Sequence, residues 1–336
     1  MRRTDPMLQL KSMLKKANPK LSYKKDTNLN EWRNSLENKL KELLGVINYA
    51  PVLPNLRIKG EKKKDGYTLI RFTIATEEFF DMPCNLLLPD GVKNPPLIIC
   101  LQGHSNGMHI SIGEPKYQGD KEIIAGGRDF AIQAVHRGKA ALCLEQRYFG
   151  ERRTKNDVPG TECWVPSMTE LMLGRSALAG RVWDISRALD VIEKHFQYVD
   201  LSRVGLMGNS GGGTATWYAA CLESRISAIM SSCSVCTYAK SIAVIKHCMD
   251  QHIPGALNWF EMGDLAGLIA PRPLVIVAGR NDDIFPLEGV YEAYQCIQEI
   301  YTAFKAENAC RLVIGEGGHR FYPEQAWQVF SELTGW

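Results

Sequence analysis

From residue 96 onward the chain is punctuated by short, almost wholly apolar runs: PLIICL (96–101), AALCLE (140–145), VGLMG (204–208), ISAIMSSC (226–233), PLVIVAG (273–279) and RLVIG (311–315). Continuous rather than alternating hydrophobicity is the pattern of strands buried on both faces of a parallel sheet. Between the runs lie longer stretches of helical period, near 124–137, 177–196, 212–223, 287–303 and 323–333. Upstream, YTLIRFTIA (67–75) and DMPCNLLL (81–88) read as a strand pair joined by a polar turn. Earlier still, Trp32, Leu36, Leu40, Leu43 and Leu44 recur at helical spacing, with Gly45 where a C-cap stands. Pro51 and Pro54 then break the chain. The alternation predicts a doubly wound α/β domain: a mostly parallel sheet of about eight strands flanked by helices, with an N-terminal helical extension.

Length and charge refine the division. At 336 residues the chain suits one large domain with an extension. Residues 1–64 hold 16 Lys and Arg against 6 Asp and Glu, although the whole chain is only +3. The cations are interleaved with apolar residues, as on the wet face of a helix, so neither nucleic acid nor a membrane is the expected partner. The boundaries expected are 1–64 for a basic helical extension packed on the body and 65–336 for the catalytic domain, with insertions near 146–170 and 233–262. The start shows no secretory pattern, and no apolar run is long enough to span a bilayer. Cys100 and Cys143 fall in strand runs and Cys221 in a helical one, where free thiols act as small core hydrophobes. Cys233 and Cys236 form a lone C-x-x-C with no second pair at zinc spacing. These features together suggest a cytoplasmic protein; a homo-oligomer is compatible with them.

Ligands of such sheets bind beyond the carboxyl ends of the strands, so the residues after each strand carry the chemistry. After VGLM comes Gly208-Asn209-Ser210-Gly211-Gly212, followed by a helical run. Strand, G-x-S-x-G and helix together describe a sharp turn that presents a serine at a helix N-terminus, where developing negative charge is favoured. A serine hydroxyl needs a base, and the base an orienting acid. Asp282 and Asp283 follow the 273–279 run, and His319 follows the 311–315 run on a glycine-flanked loop. Asp282 is preferred for its spacing from Gly279 and Pro286; Asp283 stays open as the acid or as a helix cap. The oxyanion donors expected are the backbone N–H of Gly211 and one from His104 or Ser105 in the Gln102–Gly107 turn. His136, His195 and His247 lie in helical stretches without metal-ligand spacing. Aromatics of the insertions, Tyr148, Phe149, Trp164, Trp259 and Phe260, are candidates for a substrate wall, and equally for core.

At this point the chain resembles the α/β-hydrolase superfamily, and within it the dienelactone-hydrolase-like and acetyl-xylan-esterase-like branch. The resemblance runs from about residue 30 to the end. It is carried by LLLP (86–89), LQGH (101–104), RYFGE (147–151), VWD (182–184) with RALD (187–190), GNSGGG (208–213), IAPRPLVIVAGRNDDIFP (269–286) and GGHRF (317–321). It implies ester hydrolysis by a triad that falls on Ser210, Asp282 and His319, with no metal and no cofactor, on a small-molecule ester. Three features depart from the branch. Dienelactone hydrolases proper use cysteine where this chain has Ser210. Secreted polysaccharide esterases carry signal peptides. Glu145 stands where Asp is common, and is expected to pair with a nearby Arg. An acyltransferase or carbon–carbon bond hydrolase would use the same triad; a prolyl-oligopeptidase-type peptidase or a non-catalytic relative would fit the core less well.

Overall fold

The computed structural model describes residues 4–105, 107–154 and 163–336. Residues 106 and 155–162, within the 102–107 turn and the first insertion, lie outside the described residues. Among the described residues the strands are β1 (Arg57–Lys64), β2 (Tyr67–Glu77), β3 (Phe80–Pro89), β4 (Pro96–Leu101), β5 (Ala140–Leu144), β6 (Asp200–Asn209), β7 (Ala228–Ser232), β8 (Leu274–Gly279) and β9 (Cys310–Gly315). They form one sheet in the order β1-β2-β3-β5-β4-β6-β7-β8-β9. From β1 to β5 neighbouring strands run antiparallel; from β5 through β9 they run parallel. The helices are α1 (Pro6–Lys16), α2 (Leu29–Leu44), α3 (Asp120–Ile123), α4 (Phe130–Val135), α5 (Trp164–Met172), α6 (Ala177–His195), α7 (Gly211–Leu222), α8 (Leu287–Ala303) and α9 (Pro323–Thr334). None is long and apolar enough to cross a membrane.

Successive residues of a strand face opposite sides, and β4 shows what that does here. Leu97, Ile99 and Leu101 enter one core with α2, α6, α7 and α8, while Ile98 and Cys100 enter the other with α4 and α9. Both faces are covered, which is why the runs are apolar throughout. Strand order reverses around β4, which lies between β5 and β6. The crevice at that reversal opens beyond the carboxyl ends of β4 and β6, the place where such sheets bind ligands.

Three expectations change, and a disulfide joins them. A ninth strand, β1, precedes the eight read from the sequence; its eight residues are all exposed, so no buried face marked it. The sheet therefore begins at Arg57, inside the stretch assigned to the extension, whose helical part is α1 and α2. The helix expected over 124–137 is broken: α3 ends in a wide turn at 124–128, kinked at Gly127 with φ 81°, and α4 restarts at Phe130. Cys163 and Cys248, not singled out in the sequence, form a disulfide that ties the start of α5 to the 246–251 segment, while Cys100, Cys143 and Cys221 are free and buried. Finally, the Glu145 carboxylate accepts the backbone N–H of Met108 and of Glu151 rather than pairing with an arginine. Arg152 donates to its main-chain carbonyl instead.

Candidate active site

The turn after β6 places Ser210 at φ 56° and ψ −126°, left-handed territory that a non-glycine residue enters only when its surroundings enforce it. Its N–H donates to Ser232 O on β7 at 2.9 Å, and its carbonyl accepts from Thr214 N at 2.8 Å as α7 begins. Glycine is required just before it. A Cβ on Gly208 would lie 2.4 Å from the carbonyl group of Gly212, because strand and helix nearly touch there. The Ser210 side chain makes no capping bond to α7.

The turn after β4 approaches this serine edge-on. A Cβ on Gly103 would fall 2.6 Å from Asn209 O, 2.9 Å from Ser210 Cβ and 3.3 Å from Gly211 N, so only glycine lets the two turns meet. Gln102 anchors the turn: its Nε2 donates to Ser111 Oγ and Arg128 O, each at 2.6 Å, and its carbonyl accepts from Gln146 Nε2. The His104 ring packs edge-on against Phe149 and its Nε2 is 3.1 Å from Asp250 Oδ2. Burial alone would raise the Asp250 carboxyl, but Arg181 and His104 beside it hold it far below the usual carboxylate range.

Beyond β8, the Asp282 side chain is buried and Asp283 is exposed. Asp282 Oδ1 accepts the N–H groups of Ile284 and Phe285 at 2.9 and 3.0 Å, and Oδ2 is 2.8 Å from His319 Nδ1. Burial pushes this carboxyl up, but the hydrogen bond and charge of His319 and the two N–H groups outweigh it, and the net shift is downward. The imidazole of His319 stacks on Phe285 with an interplanar angle of 15°. Cys233 lies behind the pair with its thiol pushed up to about 12, chiefly by burial, so it stays protonated at neutral pH.

Ser210, Gly211, His104 and His319 line one cavity of about 280 Å³. A larger groove of about 1150 Å³ runs along 52–57 and Phe79 and includes neither Ser210 nor His319. Of the two expected turn donors, His104 lines the cavity and, among the described residues, Ser105 does not. None of the five aromatic candidates lines it either. Phe149 buttresses His104, and Tyr148 and Trp164 pack with Phe149 and the disulfide. Trp259 lies beneath Lys20 and Lys39, and Phe260 is fully buried; neither lines the Ser210 cavity. Arg128, Lys246, Cys248 and Gln251 line the cavity but were not singled out by sequence, and His247, read there as a helical residue without a ligand role, lines it too. His247 is not helical; it stands in the irregular 246–248 stretch against Phe285, its pKa lowered to about 4 chiefly by burial. The signal for Arg128 was slight: a cation beside Gly126-Gly127, inside what reads as one helix.

A serine on a strained strand-to-helix turn, over a doubly wound sheet with an acid and a histidine beyond later strands, is the α/β-hydrolase arrangement. Residues 7–311 match the Abhydrolase family, and the chain belongs to it. It is 25% identical over 245 residues to YtaP of Bacillus subtilis (strain 168), named as a hydrolase, covering 70% of this chain and 77% of that protein. Among solved structures it is similar to one from Bacteroides fragilis NCTC 9343 named as an acetyl xylan esterase. That match has a TM-score of 0.78 and 16% identity, over 99% of this chain and 90% of the other. It is also similar to a glucuronoyl esterase from Solibacter usitatus, with a TM-score of 0.67 and 17% identity over 94% and 96% of the two chains.

Proposed function

We propose that this protein is a serine carboxylesterase that cleaves a small ester through an acyl-enzyme on Ser210. The observation that carries the reading is the His319–Asp282 pair at 2.8 Å, opening onto the same cavity as a serine held at φ 56°. In this reading His319 Nε2 takes the Ser210 proton as Oγ attacks the ester carbonyl. Asp282, ionised because its pKa is lowered, fixes the tautomer by accepting from Nδ1 and stabilises the imidazolium. The N–H groups of Gly211 and of the 103–104 turn receive the oxyanion, each such donor contributing about 3 kcal/mol to the barrier reduction. His319 then protonates the leaving alcohol, and water repeats the sequence to free the acid. A cavity of about 280 Å³ suits a short acyl group, and the names of the structural neighbours favour an acetyl ester of a sugar or similar alcohol.

A fluorophosphonate probe tests the central assignment. Labelling is expected to map to Ser210 and to vanish in Ser210→Ala, together with hydrolysis of p-nitrophenyl acetate. A Ser210→Ala protein that is still labelled overturns it.

A further inference from the structure

The cavity beside Ser210 is lined by two cations, Arg128 and Lys246, and by no carboxylate among its described residues. The acids nearest to it are already occupied: Asp282 by His319 and Asp250 by Arg181 and His104. Arg128 is the unusual member. Its Nε is 3.2 Å from Gln102 Oε1, and its guanidinium faces the Phe130 ring at 5.8 Å. Its Nη2 is buried with no hydrogen-bond partner. Among the described residues no carboxylate pairs with the half-buried Arg128 or with Lys246, although the buried arginines Arg147, Arg152 and Arg181 are each matched to an acid. Burial without an anion lowers the Arg128 guanidinium to about 10, which still leaves it charged at neutral pH.

A buried, charged donor left unpaired is costly, and the cost is recovered when an anion completes it. A guanidinium fork suits an oxyanion group, which it binds with direction as well as charge. Lys246, exposed at the rim, adds positive potential without a fixed geometry. We propose that the site is built for a small anionic ester, one whose carboxylate or phosphate group pairs with the Arg128 guanidinium where it lines the cavity while the ester carbonyl lies at Ser210. This rests on the esterase reading and adds the charge of its substrate. The geometry also explains why Arg128 stands on the wide turn between α3 and α4: the break after Gly127 brings it over the carboxyl end of β4, where its own carbonyl is held by Gln102.

The test compares charge at constant size. On the alcohol side the substrates are O-acetylglycolate, 2-acetoxyethyl phosphate and the neutral O-acetylglycolamide; on the acyl side, methyl hydrogen succinate and methyl succinamate. At least one anionic ester is expected to exceed its neutral partner about tenfold in kcat/KM, and the alcohol-side pair separates carboxylate from phosphate. In Arg128→Gln that ratio falls to within about twofold of unity, mainly through KM, and Arg128→Lys restores part of it. Equal rates for anionic and neutral esters in the native enzyme overturn the proposal and leave the esterase reading standing. An Arg128→Gln protein that loses activity on both kinds alike, with the ratio preserved, also overturns it, for Arg128 then serves only to hold Gln102. A native protein that hydrolyses none of the five and does not react with fluorophosphonate overturns both readings.

Discussion

Asp282 and Asp283 are neighbours in the chain, yet their surroundings assign them different work. Asp282 is buried and uses both oxygens, one on two backbone N–H groups and one on His319; Asp283 faces solvent. Asp282→Asn keeps the shape but presents the wrong partner to Nδ1, so kcat on a p-nitrophenyl ester is expected to fall about 10⁴-fold. Asp283→Asn should change it less than twofold; a large loss in that variant instead would move the acid. Gly103 offers a second discrimination. A methyl there meets Asn209 O and Ser210 Cβ below 3 Å, so Gly103→Ala must displace the turn that supplies a backbone donor. A fall of 10²–10³ in kcat is expected, with fluorophosphonate labelling slowed in parallel. The placement of Ser210, Asp282 and His319 beyond the strand ends was readable because each follows closely on an apolar strand. Arg128 and Lys246 were not, because a cation's role depends on whether an anion faces it, and that is a property of the folded cavity alone.

The extension divides into two helices with different ties to the body. α1 buries none of its residues, whereas α2 buries Trp32, Leu36, Leu40 and Leu44. Trp32 lies against Gly267, where a Cβ would come within 2.3 Å of its ring, and its Nε1 donates to Leu21 O at 2.8 Å. Arg33 adds bonds to the carbonyls of Gly267 and Ala270. Removing residues 1–16 is therefore expected to leave the thermal midpoint within about 2 °C. Trp32→Ala should lower stability by about 3–5 kcal/mol in urea unfolding, with KM unchanged. Equal losses from both changes would contradict the division. The α2 register was legible because its apolar stripe is regular and Gly45 closes it at φ 76°. β1 was illegible for the opposite reason. RIKGEKKK is an edge strand exposed on every residue, held by its backbone pairing to β2, and such pairing leaves no periodicity in the side chains. The break at 124–128 hid because Gly126 and Gly127 sit inside an otherwise helical spacing, and glycine alone does not say whether a helix kinks or ends.

The buried acids of the fold pull in two directions as pH changes. Glu77, Asp184, Asp250 and Asp282 are each desolvated, but cations or donors beside them hold their folded pKa values below the ordinary ones. A depressed folded value contributes stability that is present above the unfolded pKa and is lost as pH falls through the folded one. Asp184 shows the scale of this: Arg147 and Arg152 both converge on it at the join of β5 with α6, and losing its charge leaves the buried Arg152 guanidinium without its acid and Arg147 with Glu77 and Glu170 only. Breaking such a group from one side costs about 3–5 kcal/mol, the loss expected for Asp184→Asn. Glu145 has the opposite sign. Burial raises it from 4.5 to about 7 despite the N–H groups of Met108 and Glu151. Its protonated form is the one the fold prefers, so its contribution is full below 4.5, declines as pH rises, and is gone above about 7, a change of about 3 kcal/mol. Burial also raises Glu261 and Asp264, so their stability contributions decline with rising pH in the same sense, and Glu145, between the 107–110 and 150–152 turns, supplies the part of that decline that reaches neutrality. Urea unfolding of Glu145→Gln across pH 4.5–8 should show a shallower decline than the native protein while keeping the acid limb; a variant that retains the native slope would place its origin elsewhere.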